Sequence, residues 1–251
     1  MTDRWRVAAN LATLANALLG VGAILYTLAG NKLWAMFLIV AAIGFDGLDG
    51  LFSRRSHAPP SPFGRYADSV ADAVTFGLAP AVLIAVHTSD VGLWAPWAPA
   101  SLALAGAYFA AAVGRLVYFT FRGFQRSYFL GVPTPQAALA LVVALLFHDT
   151  PAFQTVQPVA VLIGASAIAV LMVVPLPYPK IRAGAPLRVP MAVTGAAAAV
   201  VLVLLQFHPG TGTPAFLLAL GAAYVLLAGV ALYYVVGPFT VDRTPKPTHP
   251  G

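Results

Sequence analysis

Cysteine is absent from all 251 residues, and so is glutamate. The first absence excludes disulfides, thiolate nucleophiles and thiolate metal sites. The second leaves aspartate as the sole acidic side chain, eight in all, and its short side chain suits a rigid site. Charge of either sign is scarce. Charged residues make up 9% of the chain, against roughly 25% in a soluble domain. With 60% of the residues hydrophobic, most of the surface must face something other than water.

Long apolar runs locate that surface. Crossing a hydrocarbon core of about 30 Å takes ~20 residues of helix, and eight runs qualify as candidate spans: 9–29, 33–53, 65–88, 98–121, 134–148, 157–177, 189–207 and 214–236. They are continuously apolar rather than alternating, which excludes a β-barrel. The expectation is an all-α integral membrane protein. A single transmembrane domain covers 1–240, with a disordered Pro-rich tail at 241–251. The first run is longer than the apolar core of a cleavable signal and is expected to stay as a true span.

Basic residues sort by loop. With a cytosolic N-terminus and eight spans, Arg4, Arg6, Arg54, Arg55, Arg65, Arg115, Arg122, Arg126, Lys180, Arg182, Arg188, Arg243 and Lys246 fall inside. Of the 14 basic residues only Lys32 falls outside. That bias predicts cytosolic placement of both termini. It also accounts for the net charge of +6 through topology and attraction to anionic membrane lipids, without nucleic acid. Trp94 and Trp97 suit an aromatic belt at the outer face.

Four of the eight aspartates crowd into one window. Asp46 and Asp49 are three apart near the end of the second span; Asp68 and Asp72 are four apart near the start of the third. Each pair therefore shares one helix face. Because consecutive spans run antiparallel, both pairs arrive at one cytosolic-side depth. Four convergent carboxylates repel one another and resist burial. Protonation or hard divalent cations such as Mg²⁺ and Mn²⁺ can neutralise them. Gly44, Gly47, Gly50, Ser53 and Gly64 leave clearance nearby for a flat or bulky ligand.

These residues form a pattern. Asp46-x2-Asp49-Gly50-x2-Ser53-Arg54-x9-Gly64-x3-Asp68-x3-Asp72 resembles the signature of the CDP-alcohol phosphatidyltransferases, D-x2-D-G-x2-A-R-x8-G-x3-D-x3-D. Ser53 replaces the usual alanine, and the Pro-rich spacer before Gly64 is one residue longer. Further stretches are similar to the phosphatidylserine synthase branch of that family. They are Asn10 to Gly20, the run from Asp68 through Phe76-Gly-Leu-Ala-Pro80-Ala81, Gly114-Arg115, Phe129 to Pro135, and Pro177-Tyr178-Pro179-Lys180 as the end of a sixth helix. The resemblance covers about 8–182 as a six-helix core and leaves two extra helices at about 187–237.

The resemblance implies attack of a serine hydroxyl on the lipid-attached phosphorus of CDP-diacylglycerol, giving phosphatidylserine and CMP. Two divalent ions, Mg²⁺ or Mn²⁺, are implied, with Asp46, Asp49, Asp68 and Asp72 as ligands and Asp72 also as base. Gly50, Ser53, Arg54 and Gly64 map to the nucleotide-binding part. A homodimer in a bacterial-type inner membrane, with its site facing the cytoplasm, is implied as well. From the residues themselves, Thr13 and Asn16, one face of the first helix, could bond the nucleotide or another helix. Arg115 could clamp a phosphate or carboxylate or simply snorkel. Arg122, Arg126 and Lys180 are weaker acceptor-binding candidates. Two rival readings are the same chemistry on glycerol phosphate, inositol phosphate or inositol, and a cation transporter built on the aspartates.

Overall fold

The computed structural model describes residues 4–56, 62–90, 98–122, 128–149, 158–179 and 213–240. Helix α1 spans Arg4–Leu28, α2 Lys32–Arg55 and α3 Pro62–Asp72. A π-helical turn, Ala73–Leu78, joins α3 to α4, Ala79–Asp90, so these three pieces form one long span. Then follow α5 (Ala98–Arg122), β1 (Tyr128–Leu130), α6 (Thr134–Asp149), α7 (Pro158–Val173), β2 (Pro177–Pro179), α8 (Pro214–Val236) and a 3₁₀ turn, Gly237–Phe239. Among the described residues, four helices are long and apolar enough to cross a membrane: Arg4–Leu28, Lys32–Arg55, Pro62–Val86 and Pro99–Phe121. Within the described residues α6 and α7 have 16 residues each, shorter than a full span. The predicted span at 189–207 lies outside the described residues, as do Trp94 and Trp97.

Helix α1 is built inside out. Its buried face is Ala9, Ala12, Asn16, Gly20, Ala23 and Thr27, small or polar side chains at three- and four-residue spacing. Leu11, Leu14, Leu18, Leu25 and Leu28 are exposed. In water this would be the wrong way round. In lipid, large apolar groups cost nothing outside, and small residues let helices approach. The closest approach falls at Gly20, where a Cβ would lie 2.2 Å from Thr75 Oγ1 and 2.8 Å from its Cα. Any side chain at this position would push the first and third spans apart. By contrast α6 is buried on all sides, from Ala137 through Val143 and at Leu145 and Leu146, and forms the centre of the core.

The π turn has a local cause. Pro80 has no N–H, so it cannot bond the carbonyl four residues earlier, that of Phe76. Within a membrane such an orphan must be satisfied by another part of the protein. The buried Tyr108 hydroxyl of α5 donates to Phe76 O at 3.1 Å. Directly before the proline, the Ala79 N–H reaches back to Val74 O, the five-residue step of a π-helix.

One feature departs from the expectation. Pro177-Tyr178-Pro179 is not the end of a helix; α7 stops at Val173, and these residues form β2, paired antiparallel with β1. Proline cannot continue an interior helix, and three of the residues from 175 to 179 are proline. Gly131, after β1, has φ +73, and a Cβ there would meet Met172 O at 2.2 Å. Glycine thus seats this ribbon against the end of α7.

Candidate active site

The two aspartate pairs enter from opposite directions. Asp46 lies nine residues before the end of α2 and Asp72 ten after the start of α3, so at 1.5 Å per residue each is roughly 14–15 Å in from its helix end. Antiparallel packing then puts them side by side. Ligand-capable oxygens of Asp46, Asp68 and Asp72 all lie within 4.8 Å of one another. Asp72 is buried, and Asp46 and Asp68 are half-buried. Asp49 stands outside this trio but within hydrogen-bonding reach of Asp68.

Helix α1 supplies the support. Thr13 donates its hydroxyl to Asp49 Oδ2. Asn16 Nδ2 donates to Asp72 Oδ1 at 3.0 Å, and the Thr75 hydroxyl donates to the Asn16 carbonyl at 2.9 Å. Asp72, Asn16 and Thr75 thus form a closed loop between the first and third spans, at the point where Gly20 permits contact. Both polar candidates of the first helix therefore engage carboxylates across helices, while Asn16 Oδ1 is buried with no hydrogen-bond partner.

The donor set fits a hard divalent cation. Oxygen ligands on one Mg²⁺ sit about 2.1 Å from the ion, hence roughly 3–4.2 Å from each other. Three carboxylate oxygens within 4.8 Å need only small side-chain rotations to meet that. Carboxylates packed this closely cannot all remain anionic without positive charge among them. Asp46, Asp68 and Asp72 would hold one ion, while Asp49 is held by the Thr13 hydroxyl.

Cβ atoms built on Gly44 and Gly47 meet nothing within 4 Å. At Gly50 a Cβ would lie 3.2 Å from an Arg54 guanidinium nitrogen, so that arginine folds back over the glycine. Ser53 and Arg54 are exposed in the last turn of α2, and Gly64 lies half-buried in the first turn of α3, on the same face as Asp68 and Asp72. At this end Arg4 and Arg55 lie over the Trp5 ring, 5.5 and 5.4 Å from its centroid. They form a cationic collar at the ends of α1 and α2.

Arg115 lies deep within α5 rather than snorkelling. It is 8% exposed, its guanidinium lies 5.5 Å from the centroid of Phe129, and it is within electrostatic range of Asp72. The Arg122 side chain, Arg126 and Lys180 lie outside the described residues. The sequence reading overlooked Tyr233 of α8, which is 1% exposed and within electrostatic range of Arg115; tyrosines in an apolar run carry no spacing signal. It also overlooked Thr75 and the π turn, whose only cue was Pro80.

Residues 6–174 match the family model described as CDP-alcohol phosphatidyltransferase. Among curated proteins, the chain is 30% identical over 178 residues to a CDP-diacylglycerol–serine O-phosphatidyltransferase of Helicobacter pylori (strain J99), covering 69% of this chain and 72% of that protein. A Bacillus subtilis protein of the same name is 31% identical over 173 residues, 68% of this chain and 88% of its own length. An archaetidylserine synthase of Methanothermobacter thermautotrophicus is 28% identical over 173 residues, 68% of this chain and 69% of its own.

Proposed function

The chain belongs to the CDP-alcohol phosphatidyltransferase family, and from that premise we propose that it transfers a phosphatidyl group from CDP-diacylglycerol to the hydroxyl of L-serine, giving phosphatidylserine and CMP. The observation that carries the reading is the meeting of Asp46, Asp68 and Asp72 from two antiparallel spans. Serine as acceptor is supported by the names of the relatives. The bacterial and archaeal proteins differ in the lipid they name and share the serine. Family membership removes the cation-transporter reading.

In the proposed reaction the serine oxygen forms a bond to the phosphorus attached to the lipid, and the bond from that phosphorus to the CMP oxygen breaks. The hydroxyl proton passes to Asp72, a carboxylate held in place by Asn16 as a general base must be. Divalent ions, when bound, supply positive charge to the diphosphate oxygens and to the departing CMP. Thr13 and Asn16 fix the carboxylates that hold those ions. Gly50, Ser53, Arg54 and Gly64 receive the cytidine and phosphates. Asn16 Oδ1, buried without a partner, is an acceptor available to that ligand.

The reading extends to eight spans with both termini cytosolic, and to a bacterial-type inner membrane with the site facing the cytoplasm. The inside-out face of α1 and the cationic collar support the membrane placement. A homodimer rests on the family resemblance. Because the chain lacks cysteine, a single Thr244→Cys can report the side of the tail. Impermeant maleimide should label it only after the cells are opened, and labelling of intact cells would refute the topology.

The activity test is CMP release by the purified enzyme from CDP-diacylglycerol with serine, glycerol phosphate, inositol phosphate and inositol in parallel. Release with serine is expected, abolished by EDTA and restored by Mg²⁺ or Mn²⁺. Release with another alcohol alone would reassign the acceptor, and release unaffected by EDTA would overturn the metal reading.

A further inference from the structure

Two buried donors have no hydrogen-bond partner among the described residues: Arg115 Nε and the Tyr233 hydroxyl. Arg115 is 8% exposed and Tyr233 1%, so neither has bulk water in place of a partner. Buried donors are almost always paired, and a pair left open points to a ligand. The two come from separate parts of the chain. Arg115 lies in α5, inside the matched family region, whereas Tyr233 lies in α8, beyond residue 174 where that region ends.

Packing fixes both groups without using these donors. The Tyr233 ring stacks on Tyr178 with centroids 5.5 Å apart and meets Tyr234 edge-on at 6.1 Å. The Arg115 guanidinium lies over Phe129. Phe129 and Tyr178 are directly paired across the β1–β2 ribbon, so one small element backs both side chains. Arg115 is within electrostatic range of both Tyr233 and Asp72. It is the only cation in the buried set among the described residues.

We propose that Arg115 and Tyr233 together bind the carboxylate of the acceptor amino acid, which makes the final helix α8 part of the acceptor site. This rests on the serine reading above. A carboxylate offers two oxygens in one plane, suited to a guanidinium N–H and a hydroxyl donating side by side. Serine is short: its hydroxyl and carboxylate are separated by two carbons. Whatever holds the carboxylate must therefore lie near the base that takes the hydroxyl proton, and Arg115, within electrostatic range of Asp72, meets that condition. A phosphate of the CDP-lipid offers similar anionic oxygens, and kinetics separate the two.

The test uses two conservative variants of the full-length purified enzyme. Tyr233→Phe removes one hydroxyl and keeps the ring stack; Arg115→Lys keeps the charge and loses the Nε donor. CMP release is measured against serine and against CDP-diacylglycerol separately. In each variant the KM for serine is expected to rise about tenfold or more, with the KM for CDP-diacylglycerol within about twofold of wild type. The preference of the wild type for serine over serinol, in which a hydroxymethyl replaces the carboxylate, should shrink by a similar factor. A raised KM for CDP-diacylglycerol with unchanged KM for serine would assign the pair to a phosphate and overturn the proposal. So would a fall in kcat alone with the serine-to-serinol ratio unaltered, the mark of a purely structural role. A wild type inactive with serine but active with another alcohol overturns the acceptor reading and this proposal with it. A serine-active wild type whose Tyr233→Phe variant keeps its KM overturns this proposal alone.

Discussion

Buried polar groups on the two sides of the site are treated differently. On the side of α1, α2 and the third span, the protein satisfies its own carboxylates and leaves Asn16 Oδ1 open among the described residues: Thr13 bonds Asp49, Asn16 bonds Asp72, and Thr75 bonds the Asn16 backbone carbonyl. On the side of α5, α6 and α8, Arg115 Nε, Gln136 Oε1 and the Tyr233 hydroxyl are positioned by packing and left without partners. The first arrangement is preorganised, its carboxylates held before any cation arrives. The second keeps donor and acceptor capacity open. The difference teaches that the catalytic carboxylates and the proposed acceptor-recognition groups have separate scaffolds in this bundle, so substitutions can perturb one without the other.

The largest effect should come from the carboxylate side. Asp72→Asn keeps size and the contact with Asn16 but removes the base, and CMP release should fall by about 10³-fold or more. Wild-type turnover in a folded variant would remove Asp72 from the mechanism. Asn16→Leu leaves every carboxylate in place but frees Asp72 Oδ1. A loss of about 10–100-fold in kcat is expected, in line with other ligand-orienting partners. An unchanged kcat would mean that Asn16 is merely a packing residue.

Smaller effects test the scaffold. Gly20→Ala places a methyl group where Thr75 sits, and destabilisation of about 1–3 kcal/mol is expected from overpacking, read as a lower unfolding temperature in detergent. Full stability would show that the first and third spans do not touch there. The mildest change is Tyr108→Phe, which leaves the Phe76 carbonyl next to Pro80 without its donor, at a cost of about 1–3 kcal/mol. It sharpens the contrast between two buried tyrosines. Tyr108, with its partner in place, should affect stability and not serine KM; Tyr233 should do the reverse.

Much of the carboxylate side was legible in the sequence. Spacings of three and four and antiparallel succession of spans are one-dimensional facts that predict four aspartates at one depth; the structure brings Asp46, Asp68 and Asp72 within 4.8 Å of one another and leaves Asp49 outside that trio. Thr13 and Asn16 were legible as a polar face, yet their partners were not, because a pairwise contact between distant helices leaves no mark in local spacing. The π turn was hidden for a related reason. Pro80 signals a broken helix, but the rescue by Tyr108 depends on α5 packing alongside. The ribbon of β1 and β2 was misread as a helix end, since three-residue strands fall below any periodicity. Tyr233 was illegible altogether. In an apolar helix of a membrane protein a tyrosine is unremarkable until its neighbours are known.

The central claim is that carboxylates from two antiparallel spans hold one divalent ion. Mn²⁺ binding to the purified protein, followed by electron paramagnetic resonance in wild type and Asp68→Ala, tests it most directly. The account predicts that loss of this one ligand weakens binding by about 10–100-fold, with the helical content of the protein unchanged. Equal Mn²⁺ affinity in the two proteins would contradict it.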